Sequence, residues 1–255
     1  MMEYKFTPDR ENYEMYASGG VLYSAPGHTA FPVRLATEIF RRCLALRAHQ
    51  GESDRCVLYD PCCGSAYQLT TMAYFNWHSI ERIIGSDIDA DALSVAARNL
   101  SLLDLNGLDR RINEISTLYQ QFGKASHSIA LKNALELKQR LSELIASHKI
   151  DTQLFRADVT DRQAVSAELA EAPVDVVMAD IPYGQHSNWD AATAALVSAT
   201  DPVHQLLESL LPVMRPNAVV AVAAAKKDKI RHEQYQKLER FTVGKRQIVI
   251  LRPNL

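Results

Sequence analysis

Short apolar runs alternate along the chain with amphipathic stretches. Seven of the runs are predicted to be β-strands, at residues 57–60, 82–88, 152–159, 174–181, 217–225, 238–244 and 246–252. The stretches between them favour helices. Residues 89–104 show this best, because their apolar positions follow the i, i+3, i+4, i+7 spacing of one buried helix face. Strands that alternate with helices predict a parallel, doubly wound α/β sheet with helices on both faces.

Further predicted helices fill the gaps in this alternation. They lie after Pro32 within residues 28–49, and at 66–76, 161–171, 202–212 and 226–237, the last of which is basic. Residues 107–149 lack a strand-like run and are predicted to hold inserted helices. The apolar stripe of that insertion consists of Leu131, Leu135, Leu141 and Ile145. The predicted fold class is α/β: a Rossmann-like, doubly wound, seven-stranded, mostly parallel sheet with an antiparallel C-terminal hairpin and a helical insertion.

The composition is that of an ordinary globular domain. With 47% hydrophobic and 23% charged residues, we expect one domain, 1–255, with an N-terminal helical extension at 1–50 and the insertion at about 107–149. The net charge is −2, so nucleic-acid binding would need a local basic patch. The polar first residues and the lack of a long apolar run predict a cytoplasmic protein without a membrane segment.

The four cysteines are Cys43, Cys56, Cys62 and Cys63. In the cytoplasm they would be reduced, and adjacent cysteines rarely bridge one another. Their spacing does not match a zinc site, so we predict no metal. Cys62 and Cys63 are interpreted as small loop residues.

An acidic residue stands at the end of four predicted strands: Asp60, Asp87, Asp158 and Asp180. The carboxyl ends of parallel strands meet at one edge of such a sheet, where ligands bind. An acid in the place of Asp87 accepts hydrogen bonds from ribose hydroxyls. Asp158 is interpreted either as a contact to an adenine amino group or as a helix N-cap.

The turn after Asp60, PCCGSA, consists of small residues that let a ligand approach the backbone at a helix start. It holds one glycine, Gly64, and not the G-x-G-x-x-G pattern of a pyrophosphate loop. This disfavours an NAD-dependent oxidoreductase. It favours a ligand that presents a charged amino-acid end to the turn.

The segment DIPYG, which begins at Asp180, follows the fourth predicted strand. Its carboxylate and nearby carbonyls suit the amino or imino edge of a planar base, and Tyr183 suits stacking on the base. Pro182 would hold the loop extended. The alternative is a strand-end turn with a core tyrosine.

Several segments together resemble a known family. They are FPVRLATEIFRRCLA, LYDPCCGSAYQLT, SDIDADALSVAARNL, FGKAS and DIPYGQHSNW. The set resembles class I S-adenosylmethionine-dependent methyltransferases and, more closely, the AviRa family of avilamycin-resistance 23S rRNA guanine-N1 methyltransferases. The resemblance implies S-adenosyl-L-methionine as cofactor, 23S rRNA or the large ribosomal subunit as partner, and a role in antibiotic resistance.

The resemblance also implies site residues. Asp60 and the Cys62–Ser65 backbone would hold the methionine end, Asp87 the ribose hydroxyls, and Asp158 with Val159 the adenine. The cofactor-binding set is Asp60, Pro61, Cys62, Cys63, Gly64, Ser65, Asp87, Ile88, Asp158, Val159 and Asp180. The catalytic set is Asp180, Ile181, Pro182 and Tyr183. Within it Asp180 is the candidate acceptor of the guanine N1 proton.

Ala66 departs from the family pattern, which has glycine at that place. Alanine is tolerated where backbone torsion angles are helical, so cofactor binding is expected to survive.

Candidate RNA contacts are Trp189, Lys226 and Lys227, with His186, Lys229 and Arg231 close by in the sequence. A second candidate patch is formed by Arg110, Arg111, Lys124, Lys132, Lys138 and Arg140 of the insertion. The alternative is that the tryptophan packs in the core and that the basic runs are solvated surfaces.

Three functional alternatives stay open beside guanine-N1 methylation of 23S rRNA. They are N2-guanine methylation, N6-adenine methylation, and a non-catalytic ribosome-assembly protein that binds RNA. The Asp-x-Pro-Tyr segment suits several base nitrogens, and its presence disfavours the non-catalytic alternative.

Overall fold

The computed structural model describes residues 3–9, 11–17, 19–24, 31–52, 54–170, 172–181 and 201–255. Its strands are β1 (Cys56–Asp60), β2 (Ile80–Asp87), β3 (Asp151–Arg156), β4 (Val174–Asp180), β5 (Met214–Ala225), β6 (Tyr235–Val243) and β7 (Arg246–Pro253). Its α-helices are α1 (Val33–Ala48), α2 (Tyr67–Asn76), α3 (Ala90–Ser101), α4 (Leu105–Phe122), α5 (Ala125–Ile145), α6 (Arg162–Leu169) and α7 (Pro202–Leu210).

One seven-stranded sheet carries the fold, in the order β3-β2-β1-β4-β5-β7-β6. The first five strands run parallel, and β7 lies antiparallel between β5 and β6. The predicted fold class is confirmed. Because Asp60 pairs with Gly85, and Asp180 with Ala223, the carboxyl ends of the parallel strands form one continuous edge. We call it the carboxyl edge.

The central strands are buried on both faces, as expected for a parallel sheet covered by helices. One apolar core includes Phe40 of α1 and Met72 of α2. The other includes Val165 of α6 and Leu206 of α7. The sheet therefore separates two helical layers, and the carboxyl edge lies between them.

The segment predicted to hold inserted helices contains α4 and α5, and these two helices pack against each other as a hairpin. The predicted apolar stripe of α5 is partly wrong, because Leu135 is exposed. The buried face of α5 instead consists of Ala130, Ala134, Leu137 and Leu141. Two alanines on that face let the neighbouring elements approach closely, which a stripe of leucines would prevent.

The predicted basic helix at 226–237 is wrong. Residues 226–234 form turns and loop, and β6 begins at Tyr235. The Nε2 of Gln247 donates to the carbonyls of Ala225, Lys226 and Asp228. The Asp228 carboxylate accepts the Ala225 amide at 3.0 Å. In a helix, these backbone carbonyls and this amide would bond to other backbone groups. Here they bond to the side chains of Gln247 and Asp228 instead.

The N-terminal segment is fixed to α1 by a buried carboxylate. Glu38 is fully buried and accepts hydrogen bonds from the backbone amides of Lys5, Phe6 and Thr7, each at 2.9 Å. It also accepts a bond from the Nε of Arg42 at 2.8 Å. Burial opposes ionisation of Glu38, but these donors hold its pKa below the ordinary value.

Replacing Glu38 with Gln should destabilise the protein by about 3 kcal/mol, because Arg42 keeps its charge and loses its buried partner. We expect a fall of about 10 °C in the unfolding temperature, measured by calorimetry. Glu81→Gln at an exposed position is the control and should change little. Equal unfolding temperatures for the two variants would contradict this account of the N-terminal segment.

Candidate active site

Three carboxylates converge at the carboxyl edge. Asp60 ends β1, Asp87 ends β2 and Asp180 ends β4. Asp60 is nearly fully buried, with 3% of its surface exposed. Burial raises the pKa of Asp60 well above its ordinary value, and the nearby charges of Asp180 and Asp87 raise it further. The edge is therefore an anionic pocket that suits a cation.

Backbone amides of the loop 61–66 are largely committed to acceptors within the protein. Cys62 N–H donates to Asp60 Oδ1 at 3.0 Å, and Gly64 N–H donates to Asp87 Oδ2 at 2.8 Å. Cys63 N–H donates to the Ser86 carbonyl. The loop thus orients Asp60 and Asp87, and the carboxylates of these two acids suit a ligand's ammonium group.

The two thiols of the loop act as compact apolar groups. Both are free, and Cys63 lies so close to β2 that a Cβ added to Gly85 would be 3.0 Å from its sulfur. Burial raises the pKa of both thiols well above the ordinary value, and the charges of Asp60 and Asp87 add to this effect. Both thiols therefore stay protonated near neutral pH, and this disfavours a nucleophilic role.

Ala66 adopts left-handed torsion angles, with φ 54° and ψ 22°. It is the one non-glycine residue with positive φ among the described residues. The expectation of ordinary right-handed helical torsion angles is therefore wrong. An L-residue in this region costs about 1–2 kcal/mol relative to the right-handed region, so glycine would adopt this conformation more easily than alanine.

Asn99 of α3 fixes the loop from behind. Its side chain is fully buried and donates to the carbonyls of Ser65 and Tyr23, at 2.9 and 3.0 Å. Its Oδ1 accepts the Tyr23 amide at 2.8 Å. One amide side chain thus joins the site loop, α3 and the N-terminal segment. The sequence analysis missed Asn99 because a single polar residue on a helix gives no sign of burial.

The region predicted for adenine lies next to β2 and β3. Asp158 Oδ1 accepts hydrogen bonds from the amide and hydroxyl of Thr160, and Asp161 is the residue that caps α6. The N-cap interpretation of Asp158 is therefore wrong. Ile88 is 43% exposed at the end of β2, and the carbonyl of buried Val159 accepts the Ser209 hydroxyl. An exposed isoleucine beside a carboxylate suits a flat heteroaromatic ring with an amino group.

Asp180 lies next to Arg246, the first residue of β7, with 4.0 Å between its Oδ1 and the arginine Nε. Burial raises the pKa of Asp180 to about 6, although the guanidinium opposes the rise. The Arg246 guanidinium also lies 5.1 Å from the centroid of the Phe31 ring. Ile181 is buried, and its amide donates to Ala223 of β5.

A small cleft beside Asp180 is lined by Phe31, Gln68 and apolar residues of β4, β5 and β7. Within the described part of the chain, Gln68 Oε1 and Asp180 Oδ1 are buried without a hydrogen-bond partner. Unpaired buried acceptors are costly, so a donor from a ligand would be favourable here. Phe31, Gln68 and Arg246 were not predicted as site residues. The position of Arg246 beside Asp180 follows only from the register of β7 against β5.

Three predicted residues, Pro182, Tyr183 and Trp189, lie outside the described residues, as does His186. Lys226 and Lys227 are exposed directly after β5, at the carboxyl edge. Their position places positive charge beside the anionic pocket rather than inside it.

Among the described residues, one group of possible metal ligands was found, His204, His232 and Glu233. It lies near the start of β6, at the sheet edge opposite the acids. The Nδ1 of His232 accepts the Gln234 amide, and its Nε2 lies 3.0 Å from Glu208. These hydrogen bonds account for the position of the ring without an ion.

The strand order, the antiparallel β7 and the acids at the ends of β1, β2 and β4 define a class I methyltransferase. The family model for the rRNA methyltransferase AviRa matches residues 2–246. The chain therefore belongs to the AviRa rRNA methyltransferase family.

Relatives of known structure and name agree with this assignment. A 23S rRNA (guanine(2535)-N(1))-methyltransferase of Streptomyces viridochromogenes is 39% identical over 252 residues, which cover 99% of this chain and 96% of the relative. A crystal structure of the rRNA methyltransferase aviRa from that organism has a TM-score of 0.86 and 37% identity, covering 99% of this chain and 97% of the other. TrmN from Thermus thermophilus shares the fold, with a TM-score of 0.52, 14% identity and coverage of 94% and 52%.

No helix in the described parts of the chain is both long and apolar enough to cross a membrane.

Replacing Asn99 with Ala should loosen the site loop, because the Ser65 carbonyl and the Tyr23 amide lose their shared buried partner. We expect faster hydrogen exchange in residues 61–66 and a loss of about 2 kcal/mol in the free energy of unfolding. Asn113→Ala, on the exposed surface of α4, is the matched control. Unchanged exchange in the loop would refute the positioning role of Asn99.

Proposed function

We propose that this protein transfers a methyl group from S-adenosyl-L-methionine to N1 of a guanine in 23S rRNA. The observation that carries the proposal is Asp180, a carboxylate with a pKa of about 6 at the end of β4, beside a cleft where two buried acceptors lack a hydrogen bond. Support for the nucleotide comes from the full-length relative, whose name specifies N1 of guanine 2535. The class I fold supports the cofactor.

The residues present fit this cofactor. It brings an ammonium group, ribose hydroxyls, an adenine and a methyl group already activated by a positive sulfur. Asp60 and the 61–66 loop would bind the cationic methionine end, since the charges of Asp180 and Asp87 act on Asp60 and favour a cation beside it. Asp87 would accept the ribose hydroxyls, and Ile88, Asp158 and Val159 would hold the adenine.

The target base would be held by the segment that follows β4. The carbonyls of Ile181 and Pro182 and the Asp180 carboxylate would accept hydrogen bonds from the guanine edge, with Tyr183 stacked on the ring. Asp180 would accept the N1 proton on an oxygen atom as the methyl group is transferred. Arg246 keeps the pKa of Asp180 from rising further, so the carboxylate is ionised at neutral pH.

The RNA would approach over the carboxyl edge. Lys226 and Lys227 are exposed there and would contact phosphates, and Trp189 would contact the RNA near the extruded base. The chain carries a net charge of −2, so these local cations must overcome a weakly unfavourable overall charge. Such a reaction belongs in the cytoplasm, where ribosomes are assembled.

The proposal is tested by transfer of labelled methyl to 23S rRNA, followed by primer extension and mass spectrometry of the nucleosides. N1 methylation blocks base pairing, so reverse transcription should stop at one guanine. N2-methylguanine or N6-methyladenine in the digest would reassign the target atom. Cofactor binding without transfer to naked or assembled RNA would support the non-catalytic alternative.

Replacing Asp180 with Asn should lower the single-turnover rate at pH 7.5 by more than tenfold, because the proton acceptor is lost. In the wild type, the rate should fall as the pH drops through about 6, where Asp180 becomes protonated. Asp180→Asn should lack this fall. Asp54→Asn, an exposed acid ahead of β1, is the charge control. A loss smaller than tenfold would argue against a base role.

Replacing Asp60 with Asn should weaken S-adenosylmethionine binding by about tenfold at pH 8, or 1.4 kcal/mol. The pKa of Asp60 is raised, so the wild-type carboxyl must lose a proton to meet the cation. Wild-type affinity should therefore rise with pH, and that of Asp60→Asn should not. Isothermal titration calorimetry at a series of rising pH values measures both, and parallel profiles would contradict this role.

A further inference from the structure

The outer part of the α4–α5 hairpin extends beyond the packed body of the protein. In residues 116–129, which we call the hairpin tip, no described side chain is buried. The nearest buried residues on either side are Ile115 of α4 and Ala130 of α5. At 1.5 Å per residue, α4 continues about 10 Å past Ile115. The hairpin tip therefore adds little to the core.

Large apolar side chains nevertheless cover the hairpin tip. Leu118 and Tyr119 are partly exposed, and Phe122 and Ile129 are 59% and 60% exposed. Leu118 and Phe122 lie one helical turn apart. They share the face of α4 on which Ile115, closer to the core, is buried. Exposed apolar groups clustered on a projecting element indicate contact with another molecule.

The polar groups of the hairpin tip favour a polyanion. Residues 115–135 contain no Asp or Glu, although acidic residues outnumber Lys and Arg in the whole chain by 30 to 28. The Lys124 ammonium lies 5.9 Å from the Phe122 ring centroid, and the His127 ring meets the same phenyl edge-on at 6.3 Å. An aromatic ring beside a lysine ammonium and an imidazole, in a stretch without Asp or Glu, suits a base and its phosphate.

Basic residues in the inner part of the hairpin are used within the protein. Arg111 donates to a carbonyl of the N-terminal segment at 2.8 Å. Lys138 pairs with Asp109 at 2.6 Å, and Arg140 donates to the Tyr74 carbonyl at 2.9 Å. Arg111 and Arg140 join the hairpin to the body, and Lys138 joins α5 to α4 within it. Three of the six basic residues of the predicted patch are therefore engaged within the protein. The aromatic side chains at the tip are the stronger candidates for contact with RNA.

We propose that the hairpin tip binds an unpaired segment of the RNA substrate, with a base stacked on Phe122 and Lys124 at an adjacent phosphate. This inference rests on the proposed function for the identity of the RNA. Single-stranded RNA is recognised by stacking of its splayed bases on aromatic side chains. A contact on a projecting arm, away from the reacting base, would select the RNA element that presents the target guanine.

Phe122→Leu tests stacking, because it keeps an apolar side chain and removes the ring. We expect its dissociation constant for transcribed 23S rRNA, measured by filter binding, to rise about tenfold. Phe122→Trp should stay within about twofold of the wild type. The control is Leu135→Ala, at a comparably exposed apolar position of α5 outside the tip. Unfolding temperature and cofactor affinity should not change in any variant, because the tip is exposed.

Lys124→Gln tests the phosphate contact. The slope of the logarithm of the RNA association constant against the logarithm of the salt concentration should become shallower by about one. Phe122→Leu should keep the wild-type slope, since stacking releases no counterions. Equal slopes for Lys124→Gln and the wild type would remove the phosphate contact from the proposal.

Other occupants of the hairpin tip predict different results. If Phe122→Leu binds naked 23S rRNA normally and loses affinity only for ribosomal particles, the partner is a ribosomal protein and the proposal is wrong. If the wild type dimerises and Phe122→Leu does not, with RNA affinity unchanged, a second copy covers the tip and the proposal is also wrong. RNA binding that depends on Phe122, without methylation of guanine N1, would refute the proposed function and leave the hairpin proposal standing.

Discussion

The site is built on carboxylates held together where burial disfavours their charged form. Asp60, Asp87 and Asp180 lie together at the ends of three parallel strands, and burial raises the pKa of Asp60 and Asp180. A fold selected for stability alone would replace buried like charges with neutral groups. Under the proposed function, a cationic ligand would gain binding energy from the same electrostatic field.

The elements around these acids hold them in place. Loop amides orient Asp60 and Asp87, and Asn99 holds the loop against α3 and the N-terminal segment. Glu38 in turn fastens the start of the chain to α1. Asp87 and Asn99, both distant in the sequence, thus hold the short loop that contains the left-handed Ala66.

The sheet and its acids could be predicted because strand alternation and strand ends are local patterns. The predictions that were wrong, and the site residues that were missed, depend on contacts between residues far apart in the sequence. Gln247, which lies on β7, binds carbonyls at 225–228 and so prevents a helix there. Arg246 comes close to Asp180 only because of the antiparallel register of β7. The conformation of Ala66 and the burial of Asn99 likewise arise from packing. Hydrophobic periodicity carries no information on such contacts.

The helical hairpin also bears on how the chain folds. β3 must pair with β2 although α3, α4 and α5 stand between them in the sequence. Closing so long a segment costs chain entropy, and parallel pairing across it is intrinsically slow. Contacts between α4 and α5 are local and can form early, which shortens the effective loop that remains to be closed. The compact hairpin thus offsets part of the chain entropy that its own insertion adds between two paired strands.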